Sequence, residues 1–105
     1  MTYCKLEFYV PANFVEEVKF AVFEAGAGKL GNYDNCCWQT PGNGQFRPLP
    51  GSMPFIGSQE KVEDVEEIKV EMICPEEKIT DVIAALKEAH PYETPAYQYW
   101  PVTIG

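Results

Sequence analysis

"EDVEEIKVEMICPEEKITDVIAALKEAH", residues 63 to 90, decides the fold, because its hydrophobic period changes once, at a proline. Before Pro75, Ile68, Val70, Met72 and Cys74 alternate with Lys69 and Glu71, the two-residue period of a strand with one buried face. After it, Ile79, Val82, Ile83 and Leu86 recur at helical spacing, with acids in the first turn and Lys87 near the end, where each suits the helix dipole. Pro91 forces the helix to stop at His90.

The same strand-helix unit stands at the other end of the chain. "YCKLEFYV", residues 3 to 10, turns Cys4, Leu6, Phe8 and Val10 to one face and Tyr3, Lys5, Glu7 and Tyr9 to the other. In "PANFVEEVKFAVFEAGAG", Asn13 is the expected N-cap with Glu16 three residues on, Val15, Val18, Val22 and Ala25 form the apolar stripe, and Gly26 and Gly28 end the helix. "NYDNCCWQT", residues 32 to 40, is the expected second strand, and "AYQYWPV", bounded by Pro95 and Pro101, the last, at a sheet edge. Two such units in tandem predict one α+β domain over residues 1–105, a ferredoxin-like βαββαβ plait. Its four-stranded antiparallel sheet carries both helices on one face.

That arrangement leaves the other sheet face open. Tyr3, Tyr9, Tyr97 and Tyr99, with Trp38 or Cys37, are expected there, more aromatic area than a monomer leaves in water, so a homo-oligomer is expected. The loop from about 41 to 60 is far longer than a hairpin needs, yet Phe46, Leu49, Met53, Phe55 and Ile56 anchor it to a surface, that of a neighbouring subunit among the choices.

With 16 acidic against 8 basic residues the net charge is -8, which disfavours nucleic acid and anionic membranes as partners. No segment approaches the length of a membrane span, and the N-terminus lacks an export signal, so the expected address is cytoplasmic. The four cysteines are expected as thiols, Cys4 and Cys74 in the core.

The G-x-G-x-x-G of residues 26 to 31 follows a helix and precedes a strand, the reverse of a dinucleotide site, so its glycines are read as a helix stop and a turn. His90, the single histidine, is accounted for as a helix end favoured by the dipole. Tyr92 and Glu93 follow at once, however, and the three gather at a strand entrance suited to a ligand or metal. Adjacent Cys36 and Cys37 would point to opposite strand faces, so the expectation is one thiol packed and one at an interface, the alternative being that one of them joins His90 or Glu93 of a neighbouring subunit in a soft site for copper or zinc. No nucleophile has an evident base partner, and an enzyme is not expected.

Two blocks carry a family resemblance. "GAGKLGNYDNCCWQTPGNGQFRPLPGSMPFIG", residues 26 to 57, resembles the insert domain of the Nif-three-like family, proteins related to Ngg-interacting factor three and also called dinuclear metal centre proteins. "HPYETPAY", residues 90 to 97, is similar to a segment of the same insert and to the "HPYE" of the CutA proteins. The resemblance implies a stand-alone CutA-like or PII-like domain and a trimer. It also implies that the family's two metals, held by histidines and acids of flanking regions, have no counterpart in this sequence.

These readings converge on a non-catalytic binding or regulatory module. Its small-ligand cleft, at a subunit boundary, is expected to be lined by the central loop and the HPYE segment, with His90, Tyr92, Glu93, Asn32, Phe46 and Phe55 as its residues. The alternatives are a metal-tolerance protein like CutA, with His90, Glu93 and Cys36 as ligands, and a protein-interaction adaptor.

Overall fold

In the computed structural model, residues 2–105 are described. The four strands are β1 (Tyr3–Pro11), β2 (Trp38–Phe46), β3 (Glu63–Pro75) and β4 (Tyr97–Val102). The helices are α1 (Val15–Glu24) and α2 (Ile79–Ala89), each entered through a short 3-10 turn that begins after a proline, Pro11 or Pro75. The sheet is antiparallel in the order β2-β3-β1-β4, which is the expected plait. Its longest extent, 45 Å, matches the 13-residue β3, about 43 Å at the strand rise.

Alternation in β1 and β3 places Leu6, Phe8 and Val10 of one strand beside Met72, Val70 and Ile68 of the other. These residues are buried under Val15, Val18 and Val22 of α1 and Val82 and Leu86 of α2. Each such side chain contributes roughly 1.5–3 kcal/mol of burial. Cys4 and Cys74 face one another across the same ladder, both buried thiols.

Three local expectations are corrected. Asn13 does not cap α1: it is exposed inside the 3-10 turn, and the cap position is Phe14, with no side-chain hydrogen bond. The second strand lies six residues later than expected, so residues 41–46 are ladder and the connecting loop is 47–62. Cys36 and Cys37 therefore precede the strand, Cys37 packing against the core and Cys36 donating from Sγ to the Asp34 carbonyl at 3.5 Å. Tyr97 and Tyr99 lie on the helix-covered face, because they pair with Phe8 and Leu6. Gln98 and Trp100 take the open face in their place.

That open face keeps Tyr3, Tyr9 and Trp38, as expected, and sets a lattice of charge among them. Lys5 pairs with Glu71 at 3.4 Å and Lys69 with Glu7 at 3.5 Å, while Gln98 donates to Glu7 at 2.8 Å. Burial pushes the Glu7 carboxyl up, but Gln98, Lys69 and Glu71 outweigh it and hold it below its ordinary value. Trp38 and Trp100 border the lattice, 70% and 40% exposed.

The glycines between α1 and β2 are turn residues. Gly28 has φ +78°, donates to Ile73 O at 2.8 Å and accepts from Cys36 N–H at 2.8 Å. A Cβ there would meet the Phe23 ring at 2.7 Å, whereas at Gly31, φ +56°, it would meet nothing within 4 Å. Gly28→Ala is expected to lose about 2–3 kcal/mol in urea unfolding and Gly31→Ala about 1. Equal losses would remove the steric part of this account.

Candidate functional site

The site is built where β2 and β3 outrun β1. β1 ends at Pro11, opposite Glu67, so Glu63–Glu66 pairs only with Asn43–Phe46 and forms a two-stranded arm. The chain leaves the arm at Phe46 and returns toward the body through residues 47–62. Glu60 N–H donates to Pro48 O at 2.6 Å and Ser52 Oγ to Leu49 O at 2.6 Å, so the loop has its own internal bonds. Phe55 stacks edge-on against Phe14, ring centroids 5.4 Å apart, and Met53 N–H donates to Glu93 Oε2 at 2.8 Å. Apolar anchors thus tie the loop to its own chain.

The segment after α2 supplies the facing wall. His90 closes the helix in an extended conformation and is 5% exposed. Its Nε2 lies 2.7 Å from Tyr9 O, a group that only accepts, and its Nδ1 accepts from Tyr92 N–H at 3.1 Å. These partners fix the neutral tautomer with the proton on Nε2. Burial lowers the pKa of the ring, and the Tyr9 carbonyl and the Glu67 charge offset this only in part. His90 is therefore a clamp between β1 and the turn behind it.

Clamped from behind, Tyr92 points forward. Its ring lies 5.6 Å from that of Phe46, and its hydroxyl donates to Glu67 Oε2 at 2.9 Å. Burial, then the Glu67 carboxylate, raise the phenol pKa well above its ordinary value, so it stays a donor. The Glu67 side chain lies over Gly44, where a Cβ would collide with it. The result is a cleft of ≈ 600 Å³ between the loop and the HPYE segment.

Family comparisons agree with this architecture. The CutA1 divalent ion tolerance protein family matches residues 57–105. The chain is 44% identical over 98 residues to a GTP cyclohydrolase 1 type 2 homolog of Halalkalibacterium halodurans, covering 93% of this chain and 26% of that one. It is 47% identical over 100 residues to the same-named protein of Mycobacterium tuberculosis, covering 92% and 26%. A Bacillus cereus protein related to NIF3 superposes with a TM-score of 0.82 at 38% identity, over 96% of this chain and 26% of its own.

The chain has a CutA-like fold and is similar in sequence to one segment of the NIF3-related proteins.

It spans about a quarter of the length of the curated relatives it matches. The periplasmic divalent cation tolerance protein CutA of Archaeoglobus fulgidus shares the fold, with a TM-score of 0.67 at 20% identity over 98% of this chain and 86% of that one.

Within the CutA-like domain, four of the six expected ligand residues meet in the cleft: Phe46, Phe55, Tyr92 and Glu93. His90 stands behind Tyr92 instead of lining it, and Asn32 is exposed in the turn between Leu30 and Tyr33. Glu67 and Tyr9 line it although neither was expected to. Nothing in the alternation of β3 distinguishes Glu67 from its solvated neighbours.

The three residues grouped as metal ligands are not brought together in one chain. His90 has both ring nitrogens engaged and Glu93 receives the Met53 amide. Cys36 is tied through Gly28 to Ile73, the partner of Lys5, about 13 Å along β1 from Tyr9. Among the described residues no three His, Cys, Asp or Glu side chains form a metal-sized group. A soft metal does not fit these residues within a single chain. Nor, among the described residues, is any helix long and apolar enough to cross a membrane.

Proposed function

We propose that this CutA-like domain is a non-catalytic, homo-oligomeric binding or regulatory module, trimeric in its simplest assembly, that takes a small ligand in the cleft between residues 46–56 and the HPYE segment. The observation that carries the proposal is the convergence of an apolar wall from the loop with Tyr92, Glu67 and Glu93 around ≈ 600 Å³, within the size range of small-molecule sites. Trp38 and Trp100, exposed on the open face, favour assembly through that face. The cyclohydrolase name of the relatives describes proteins about four times this length, and His90, neutral and held at both nitrogens, is spent on architecture.

A divalent-metal module is the second reading, favoured because the CutA1 match covers His90 and Glu93. Its ligands would have to come from more than one subunit. Native mass spectrometry of protein purified without chelator separates the readings. Multiples of the 11.8 kDa subunit with an organic adduct that Phe46→Ala removes are expected. A zinc or copper adduct would favour the metal module, and a bare monomer would sink both. A bare oligomer with a second protein chain would favour an adaptor.

A further inference from the structure

We propose that the ligand taken by the cleft is an organic cation: an apolar, flat or branched body carrying a single ammonium or amidinium group. The inference rests on the binding role proposed above and adds the sign of the ligand's charge and its placement.

The charge inventory of the cleft is unbalanced. Two carboxylates line it, Glu67 and Glu93, and each receives a neutral donor, the Tyr92 hydroxyl at 2.9 Å and the Met53 amide at 2.8 Å. Among the described residues neither has a basic side chain within ion-pair distance. Lys69, two positions from Glu67 on the same face of β3, is committed to Glu7 at 3.5 Å. Arg47 is the single basic residue of the lining, and it is exposed at the rim. The lining thus carries one net negative charge, inside a chain whose net charge is -8, and the surrounding field concentrates cations.

The walls suit the body of such a ligand. Phe46, Phe55, Tyr92 and Tyr9 present aromatic surface, and Leu49 and Ile56 add aliphatic surface. An ammonium beside aromatic faces gains cation-π attraction in addition to the carboxylate contacts, and more where water is excluded. A carboxylate or phosphate in the same place would face Glu67 and Glu93 with only the rim Arg47 to balance them. The Tyr92 hydroxyl holds one oxygen of Glu67 and leaves the other without a side-chain partner, so a ligand N–H can bond there without breaking the existing contact.

The test uses two probes of matched body and opposite charge, tryptamine and indole-3-acetate, titrated calorimetrically into the full chain at neutral pH and low salt. Tryptamine is expected to bind at least about tenfold more tightly than the acid, with the preference shrinking as salt rises. Glu67→Gln combined with Glu93→Gln should abolish the preference, with the fold confirmed by an unchanged amide NMR spectrum outside the cleft, and Phe46→Ala should weaken tryptamine. Equal or tighter binding of the acid would overturn the cation assignment while leaving the cleft as a binding site. Failure of both probes to bind at about 10 mM would overturn the binding role of the cleft and the cation assignment with it.

Discussion

Replacement of Phe8 by alanine is expected to lower the stability of the domain by about 3–5 kcal/mol, the largest loss from any single change considered. Phe8 is fully buried at the centre of β1, with Val70 on one side in the ladder and Tyr97 on the other. Truncation removes the transfer free energy of the ring and leaves a void that two neighbouring strands and both helices hold open. A domain of this length is stabilised by roughly 5–15 kcal/mol in all, so the variant should sit near its unfolding midpoint in mild denaturant. Phe8→Leu, which keeps most of the volume, should lose about 1–1.5 kcal/mol. Urea unfolding of the three proteins is the measurement, and a loss below about 1.5 kcal/mol for Phe8→Ala would mean the core collapses into the space.

His90→Ala is expected to lose about 2–4 kcal/mol at pH 7.5, because it leaves the Tyr9 carbonyl and the Tyr92 amide without partners beside a new void. His90→Asn, whose amide oxygen falls near the place of Nδ1, can still receive Tyr92 N–H but not donate to Tyr9, and should lose less. The pH dependence follows from the lowered pKa. The unfolded histidine titrates near 6.5 and the folded one below that. The stability associated with neutral His90 is therefore complete above about pH 6.5 and is lost as pH falls through the folded pKa, at up to about 1.4 kcal/mol per pH unit. Glu7, held below its ordinary 4.5, adds its own loss only at still lower pH. Unfolding measured at pH 7.5 and pH 5 should thus show the gap between wild type and His90→Ala narrowing at pH 5. A widening gap would mean that the folded ring is charged.

How much of this was legible in the sequence depends on what each residue answers to. β1, β3 and α2 were legible because each buries one face, and the period of the side chains records it. β2 was misplaced because "TPGNG" carries turn chemistry, yet it forms ladder. Its position at the sheet edge tolerates Pro41, and the close approach of the Glu67 side chain asks for glycine at 44. Tyr97 and Tyr99 were assigned to the wrong face because β4 is short and mostly exposed, leaving no apolar-polar contrast to set its parity. In the cleft, Phe46, Phe55, Tyr92 and Glu93 could be picked out by a loop anchor or a motif. Glu67 could not, since it shares its face with Lys69 and Glu71, and only Tyr92, 25 residues on, makes it part of a wall.

The strand order also sets a timetable for folding. Of the four strands β1 is made before the others, and its neighbours in the sheet are β3 and β4, the later two of the four. β2 and β3 are consecutive in the chain and can pair across the loop 47–62 without waiting for another strand, but β1 gains its outer neighbour only when Tyr97–Val102 has emerged. At about 5–20 residues per second, a nascent chain spends seconds with Leu6 and Phe8 on a strand that lacks both partners. Pairings of such long sequence separation are intrinsically slow to form. Chaperone demand during synthesis should therefore fall on β1, the segment that becomes the most deeply buried.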